Sequence, residues 1–417
     1  MMGASLDILA TDSHSAARSG ILHTPHGDIR TPAFIPVGTQ AAIKGVTPVE
    51  LREAGAEALL ANTYHLYLRP GSELIAQLGG LHQFMAWDGP IFTDSGGYQV
   101  FSLGFGLEHG IGKQIGMFPD EPSDGLGGPR RPGQRPKLTR VDDNGVSFTS
   151  HIDGSRHRLT PESSIQIQEQ LGADIILAFD EPTSPLHDER YTQQAMERTH
   201  RWAKQCLDAR TRSDQALYGI VQGGAFADLR QASAEVIGNL PFDGFAIGGS
   251  LGRTKRDMDH VLAWSVPSLP MPAPRHMLGI GEPDDLFTCV KRGIDTFDCV
   301  APTRHARHGV LYTAAGRLNI VAARFRDDDR PVEPGCGCYC CRDFSRAYLC
   351  HLFRAKELLA YTLASIHNLH AILGLMEHVR DAISQGQLAE LENATVQAYR
   401  SHDEAAPPWG ASVMLQM

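Results

Sequence analysis

The chain has 417 residues, of which 42% are hydrophobic and 21% charged, with a formal net charge of −10 at pH 7. This length favours one large domain with an appended unit over several small domains. The acidic balance argues against indiscriminate nucleic-acid binding but permits a local basic surface. No uninterrupted apolar run reaches the roughly 18 residues of a membrane helix, and the start lacks a signal peptide's apolar segment. We therefore expect a cytoplasmic protein without a membrane partner.

Short apolar runs that end in polar residues or glycines recur along the chain, with helix-like segments between them. Six of these runs lie at residues 90–97, 175–181, 218–224, 245–249, 277–282 and 294–300. Polar groups at strand ends are typical of a (β/α)8 barrel, which builds its site at the C-terminal face. We therefore predict an α/β enzyme with this fold. Its pocket should collect Asp94, Asp180, Gln222, Gly249 and Asp298.

Two segments carry the signature of a helix start. Thr47 and Thr160 are each followed by a proline and an early glutamate, which is the pattern of an N-cap with proline at the first helical position. The second helix should lead into a strand at residues 174–179.

The domain organisation follows from composition. Residues 103–139 are rich in glycine and proline, which predicts a surface excursion inserted into a barrel domain at residues 1–330. A cysteine-rich unit with helix patterns at 344–366 and 371–399 follows, so we predict a metal-binding helical subdomain at 331–400. Residues 401–417 should form a frayed tail.

Five of the eight cysteines fall between Cys336 and Cys350. Without a secretion signal, such clustering favours a metal over disulfides. Cys336, Cys338 and Cys341 provide three closely spaced thiolates, and a histidine downstream would complete a structural zinc site. The spacing leaves His351, His367 and His370 as candidates for the fourth ligand, and Cys340 as a substitute for Cys341. The remaining cysteines, including Cys299, should be buried apolar residues.

The longer motifs together resemble one family. They are TDSGGYQVFSL from Thr93, SHIDGS from Ser150, FDE from Phe179, GIVQGG from Gly219, GIDTFDCVAPTRHAR from Gly293, CxCxxC from Cys336 and SIHNLH from Ser365. The chain resembles the tRNA-guanine transglycosylases of the bacterial queuosine pathway over residues 20–375. This resemblance implies a zinc-containing barrel that replaces guanine at the tRNA wobble position with a 7-deazaguanine, and a homodimer.

The resemblance also implies residue roles. Asp298 would be the nucleophile and Asp94 the general acid/base, with His367 completing the zinc set of one Zn2+ per chain. The base would be bound by Ser95, Gly96, Gly97, Tyr98, Asp180, Gln222, Gly249 and Leu278. RNA would be contacted by Gly279, Ile280, Gly281, Glu282, Pro283, Asp284 and Asp285, and by Thr303, Arg304, His305, Ala306 and Arg307.

The residue chemistry agrees with these roles. Exchanging a base without losing the ribose requires a covalent bond between the enzyme and the ribose. A carboxylate that attacks the anomeric carbon forms such an intermediate. A second carboxylic acid must protonate the departing purine and deprotonate the incoming one. Asp298 sits in an apolar strand, where burial is costly without a function or a partner. Asp295, in contrast, is expected to be a structural aspartate.

Two departures from the common bacterial pattern leave the incoming base open. Pro182 stands where a cysteine is common, and the segment Ser250–Leu251–Gly252 is one residue shorter. Both affect the wall facing the 7-substituent, so we hypothesise that queuine is accepted at least as well as 7-aminomethyl-7-deazaguanine.

Three other functions compete with this interpretation: a related transglycosylase acting on another nucleic acid, a non-catalytic tRNA-binding partner subunit, and a metal-dependent barrel hydrolase. The presence of both Asp94 and Asp298 favours catalysis over a partner role. Histidines at the strand ends are too few for a hydrolase metal site.

Overall fold

The computed structural model describes residues 3–101 and 139–401. The predicted excursion at 103–139 and the predicted tail lie outside these residues, except that Thr139 begins a strand and Ser401 ends a helix.

The described strands are numbered in chain order. β1 to β8 are Ser5–Thr11, Arg18–Thr24, Gly27–Thr31, Ala33–Gly38, Leu59–Ala61, Ile91–Thr93, Thr139–Asp142 and Gly145–Thr149. β9 to β16 are Arg156–Leu159, Ile175–Leu177, Ala216–Val221, Gly244–Ile247, Arg275–Met277, Thr296–Cys299, Val310–Thr313 and Gly316–Asn319.

The described helices are numbered likewise, apart from a helical segment at residues 97–101. α1 to α7 are Pro48–Glu53, Thr63–Leu68, Ser72–Gln77, Gly80–Met85, Pro161–Leu171, Glu189–Ala209 and Ala227–Gly238. α8 to α14 are Lys255–Ser265, Pro283–Lys291, Ala301–Arg307, Tyr339–Asp343, Arg346–Ala355, Leu358–Gln385 and Leu388–Ser401. Short 3-10 helices lie at Val266–Ser268 and Ala323–Phe325.

Eight strands close into a parallel barrel in the order β4-β5-β6-β10-β11-β12-β13-β14. All residues of β4, β11 and β12 are buried, as expected for parallel strands covered on both faces. The predicted (β/α)8 barrel is therefore confirmed. Strands β6, β10, β11, β12 and β14 overlap five of the six predicted runs, and β13 shares only Met277 with the run at 277–282. Strands β4 and β5 were not among the predicted runs.

Strands outside the barrel form smaller sheets that the strand-end pattern does not predict. They are a three-stranded sheet β1-β2-β3, an antiparallel sheet β7-β8-β9 and the antiparallel hairpin β15-β16.

Contacts divide the chain into two compact units. The first comprises Met1–Leu6, Leu22–Gly27 and Ala61–Leu278, and the second comprises Asp7–Ile21, Asp28–Leu60 and Gly279–Met417. The domain boundary at residue 330 stays a prediction.

Both predicted helix starts are confirmed. The Thr47 hydroxyl accepts a hydrogen bond from the Glu50 N–H at 3.2 Å, and the Glu50 carboxylate accepts from the Thr47 N–H at 2.8 Å. Thr160 and Ser163 form the equivalent pair at the start of α5. Each capping box satisfies two amides that a helix N-terminus would leave unpaired.

The predicted limits of the C-terminal helices are wrong. Lys356 adopts a left-handed conformation (φ 60°) and ends α12, so the pattern at 344–366 spans two helices. α13 then continues without a break to Gln385, and Gly386 ends it. The apolar spacing runs on across Lys356, so spacing alone does not reveal this break.

Among the described residues, α13 is the one helix long and apolar enough to cross a membrane. Of its most apolar window, 56% is buried inside the protein, and a core helix of a soluble protein meets the same criterion.

Asn368 ties α13 to the helix α10 and the strand β15. Its side-chain oxygen accepts from the Tyr312 N–H at 2.9 Å, and its amide donates to the carbonyls of Pro302 and Val310 at 3.0 and 2.9 Å. One buried amide therefore satisfies three backbone groups.

An internal ion pair precedes β14. The Arg18 guanidinium donates to both oxygens of Asp295 at 2.8 and 2.7 Å, and the two side chains are 4% and 0% exposed. The expected structural role of Asp295 agrees with this pairing.

We expect Asp295→Ala to lower the free energy of unfolding by about 3 to 5 kcal/mol, because it removes the buried carboxylate that accepts two hydrogen bonds from the buried Arg18 guanidinium. Urea unfolding followed by circular dichroism measures this loss. The matched control Arg18→Met/Asp295→Leu removes both charges and should lie much closer to the parent. Equal losses in the single and double variants would contradict the explanation.

Candidate functional site

Three donors hold Asp94, directly after β6, in one orientation. One carboxylate oxygen accepts from the Thr63 N–H at 2.8 Å. The other accepts from the Gln99 amide at 2.9 Å and from the Asn62 amide. The group is half-buried. A carboxylate held in this way can exchange a proton with a ligand from a defined position.

Asp180, three residues after β10 ends, is the most enclosed carboxylate of the candidate site at 5% exposure. Its oxygens accept from the Ser95 hydroxyl at 3.0 Å and from the Gln222 amide at 2.7 Å. Burial raises the pKa of Asp180 to about 6; the charge of Asp94 adds to this rise, and the two hydrogen bonds oppose it. A ligand that donates hydrogen bonds would favour the ionised form.

Gln222 follows β11, and its amide lies against Gly249, which follows β12. A Cβ at Gly249 would lie 2.0 Å from the Gln222 Oε1, and the glycine has φ +73°. Both the steric clash and the left-handed backbone conformation therefore exclude a side chain at this position. The Oε1 is buried and has no hydrogen-bond partner among the described residues. It is therefore an acceptor available to a ligand.

The segment after Asp94 packs against this group. The Ser95 hydroxyl, which donates to Asp180, also accepts from the Gly97 N–H at 3.2 Å. Gly96 lies between these residues, and the Tyr98 side chain is 61% exposed. Leu278 approaches the neighbouring loop, with its Cδ1 3.4 Å from where a Cβ at Gly248 would lie.

The first unit thus brings Asp94, Ser95, Gly97, Asp180, Gln222 and Gly249 into one neighbourhood. We call Ser95, Asp180, Gln222 and Gly249 the polar cluster.

Asp298 belongs to the second unit. It lies within β14 rather than after its end, and its Oδ1 accepts from the Gly279 N–H at 3.2 Å. Its convergence with the polar cluster on a single pocket stays a prediction.

The two predicted RNA-contacting segments are mostly buried. Asp284 and Arg304 are exposed, whereas Gly279, Glu282 and Arg307 are half-buried. The Glu282 carboxylate pairs with Arg317, and buried His305 hydrogen-bonds the Tyr312 hydroxyl at 3.1 Å. The other predicted residues, Ile280, Gly281, Pro283, Asp285, Thr303 and Ala306, are buried. Side-chain contacts with RNA would therefore fall mainly to the exposed or half-buried members.

The predicted metal ligands come together. Atoms of Cys336, Cys338, Cys341 and His367 lie within 4.8 Å of one another and could hold a metal ion. The His367 Nε2 donates to the Tyr312 carbonyl at 2.7 Å, so in the neutral ring Nδ1, which faces the thiols, is the nitrogen available to a metal. That nitrogen is 3.3 Å from the Cys341 Sγ. Cys340 and the other two candidate histidines are outside this group.

The cysteines outside the metal group behave nearly as expected. Cys206, Cys289, Cys340 and Cys350 are buried, whereas Cys299 is half-buried.

A second group of potential ligands comprises His26, His82 and Asp174 in the first unit. The buried carboxylate accepts from the His26 Nδ1 at 2.7 Å and the His82 Nε2 at 3.2 Å, while the rings stack 3.6 Å apart. Stacked rings direct their nitrogens side by side rather than toward a common point. This arrangement fits a hydrogen-bonded cluster.

Asn62, Thr63 and Gln99, which orient Asp94, were not predicted as site residues. The signal for the first two was present, since they directly follow the apolar run Leu59–Ala61. The same rule of polar residues at strand ends would have selected them.

Comparisons with known proteins show the family of this chain. Residues 12–118 and 130–401 match the family described as Queuine tRNA-ribosyltransferase. A protein of that name from a Roseiflexus species is 50% identical over 409 residues, covering 94% of this chain and 98% of the relative. The relative from Pelotomaculum thermopropionicum is 47% identical over 400 residues, covering 96% and 100%. This chain belongs to the queuine tRNA-ribosyltransferase family.

Proposed function

We propose that this protein exchanges guanine at the wobble position of tRNA for a 7-deazaguanine in queuosine modification. The observation that carries the proposal is the polar cluster, in which a buried carboxylate and an unpartnered amide oxygen face a glycine loop. Family membership supplies the substrate class.

Base recognition would use complementary hydrogen bonds. The edge of guanine carries N–H donors beside a carbonyl acceptor, so its donors match the Asp180 carboxylate and the Gln222 Oε1. The backbone N–H of Gly249 would serve the carbonyl, and Tyr98 and Leu278 would cover the faces of the ring. The nucleotide must leave the anticodon stack before these contacts form.

The base exchange would proceed through a covalent intermediate. The Asp298 carboxylate attacks the anomeric carbon, the bond to guanine breaks, and Asp94 as the acid delivers a proton to the departing base. The incoming 7-deazaguanine gives a proton to Asp94 and displaces Asp298 from the ribose. Atoms balance because one base replaces the other on the same sugar.

The metal centre would be structural and hold one Zn2+. Three thiolates with one imidazole suit zinc in a closed four-coordinate site. The His367 tautomer fits, since its Nδ1 is free to ligate. Bound zinc would link α11 and the loop before it to the first half of α13.

Cytoplasmic location and the homodimer remain proposals from family resemblance. Light scattering coupled to size-exclusion chromatography measures the oligomeric state.

We expect Asp298→Ala to reduce base exchange by at least about a thousandfold, because the covalent bond to the ribose is lost. Radiolabelled guanine incorporation into unmodified tRNA measures exchange, and a gel-stable protein–tRNA adduct should appear only with the parent. tRNA binding should survive, and Asp208→Ala, an exposed acid on α6, serves as the control. Exchange near the parent rate in Asp298→Ala would rule out the nucleophile assignment.

Asp180→Asn should stabilise the protein at neutral pH while impairing base exchange. The pKa of Asp180 is about 6 in the folded protein against an ordinary 3.8, so the folded state holds the proton more tightly. Ionisation therefore costs stability, a cost that grows as pH rises from about 4 to 6 and persists above it. The variant should gain roughly 2 to 3 kcal/mol at pH 7.5 and less at pH 4.5.

Urea titrations of parent and variant at both pH values test this linkage. A variant that is less stable than the parent at pH 7.5 would contradict it.

Cys338→Ser should lower the zinc content below about one per chain and destabilise the protein, because structural zinc binding contributes to folding free energy. Elemental analysis with thermal unfolding measures both effects. Cys340→Ser is the matched control: it changes a buried neighbour outside the ligand group and should retain zinc. Full zinc in Cys338→Ser would refute the ligand assignment.

Pro182 and the segment Ser250–Leu251–Gly252, which would face the 7-substituent of the base, lead us to expect that the site accepts queuine. Ser250 is buried and its hydroxyl accepts from the Gly252 N–H at 3.2 Å, and Pro182 is half-buried. Steady-state kinetics with queuine and 7-aminomethyl-7-deazaguanine on one tRNA measure the preference. A kcat/KM for queuine more than about tenfold lower would reject the hypothesis.

A further inference from the structure

Arg230, on α7, is a fully buried cation that binds only backbone. Its side chain donates to four carbonyls, those of Gly224 at 2.6 Å, Val221 at 3.0 Å, Gly248 at 2.9 Å and Ser250 at 2.8 Å. Burial lowers its pKa to about 9, which leaves the guanidinium charged at neutral pH. Among the described residues no carboxylate forms an ion pair with it, so these carbonyl dipoles compensate its charge.

The four carbonyls are not scattered over the fold. Val221 and Gly224 bracket the segment that contains Gln222, while Gly248 and Ser250 are the two neighbours of Gly249. The guanidinium therefore fastens the backbone on both sides of two members of the polar cluster. Its planar fork with five donors suits this task, which a lysine ammonium cannot reproduce.

Two further contacts join α7 to the same loops. The Ser233 hydroxyl accepts from the Gln222 N–H at 3.1 Å. A Cβ at Gly223, whose φ is +124°, would lie 2.8 Å from the Arg230 backbone nitrogen, so only glycine allows this approach. The helix and the loops are thus packed backbone to backbone.

We propose that Arg230 is a positioning residue for the base, setting the spacing between Gln222 and Gly249 through the carbonyls beside them. This inference rests on the proposed base exchange. The Gln222 Oε1 lies directly over Gly249, so a small shift between the two loops changes the distance between an acceptor and the backbone opposite it. Binding of the base depends on that distance more than binding of tRNA does.

The test compares guanine exchange kinetics in the parent, Arg230→Lys and Arg230→Met. Both variants should raise the KM for guanine at least about tenfold, while the KM for tRNA changes less than about threefold. The control is Arg346→Lys, since Arg346 is another buried arginine that donates to two carbonyls, those of Pro331 and Val332. It also pairs with Asp328, at 3.2 Å. The control variant should lower the melting temperature without moving the KM for guanine.

Each outcome decides the matter. The proposal would be overturned if the KM for guanine is unchanged in Arg230→Lys and kcat decreases only in proportion to the folded fraction. That result would show a merely structural role for Arg230. If both Arg230 variants fail to fold, Ser233→Ala takes their place and should raise the same KM about threefold; no rise would overturn the proposal. A parent that incorporates no guanine would refute the proposed function itself, and this inference with it.

Discussion

Burial of the Asp180 carboxylate is the constraint on which the polar cluster depends. A charge without water needs donors, and Ser95 and Gln222 supply them at 3.0 and 2.7 Å. These donors come from the ends of β6 and β11, the two strands that pair with β10 on either side. The register of three neighbouring strands therefore sets the hydrogen bonds of the cluster. Burial raises the pKa of Asp180 in spite of these two hydrogen bonds, so a ligand that donates a further hydrogen bond would favour the ionised carboxylate.

Arginines on the helices hold these strand ends in place. Beside Asp180, buried Glu181 accepts from the Tyr191 hydroxyl at 2.7 Å and pairs with Arg198 on α6. Arg230 on α7 plays the same part for the next two loops by binding carbonyls instead of a carboxylate. Loops with glycines have little packing of their own, so such bonds limit their motion. A site built this way keeps its geometry before any ligand arrives, which lowers the cost of binding.

In the second unit, α13 has two adjacent residues with different tasks. His367 points its Nδ1 at the three thiols and donates from Nε2 to the Tyr312 carbonyl. Asn368 accepts from the N–H of the same Tyr312 and donates to two carbonyls. The metal ligand is therefore fixed to β15 by its neighbour as well as by its own ring. Both residues are buried, as is 56% of the most apolar window of α13.

The amino-acid sequence by itself indicated the barrel, the capping boxes at Thr47 and Thr160 and the cysteine-rich metal group, because each depends on local spacing: strand-end polar residues, an N-cap with proline, and three close cysteines. Tertiary structure alone decided the break at Lys356, since a left-handed residue leaves apolar spacing unchanged. Spacing left three histidines open and the family resemblance implied His367; the structure places the ring of His367 against the thiols. The contacts of Arg230 also became apparent only from the tertiary structure. In the sequence, Arg230 resembles a surface cation of an amphipathic helix. In the folded protein, carbonyls from two separate loops surround its side chain. Hydrogen bonds between segments that are distant in the chain produce no periodic pattern in the sequence, so these contacts could not be predicted from it.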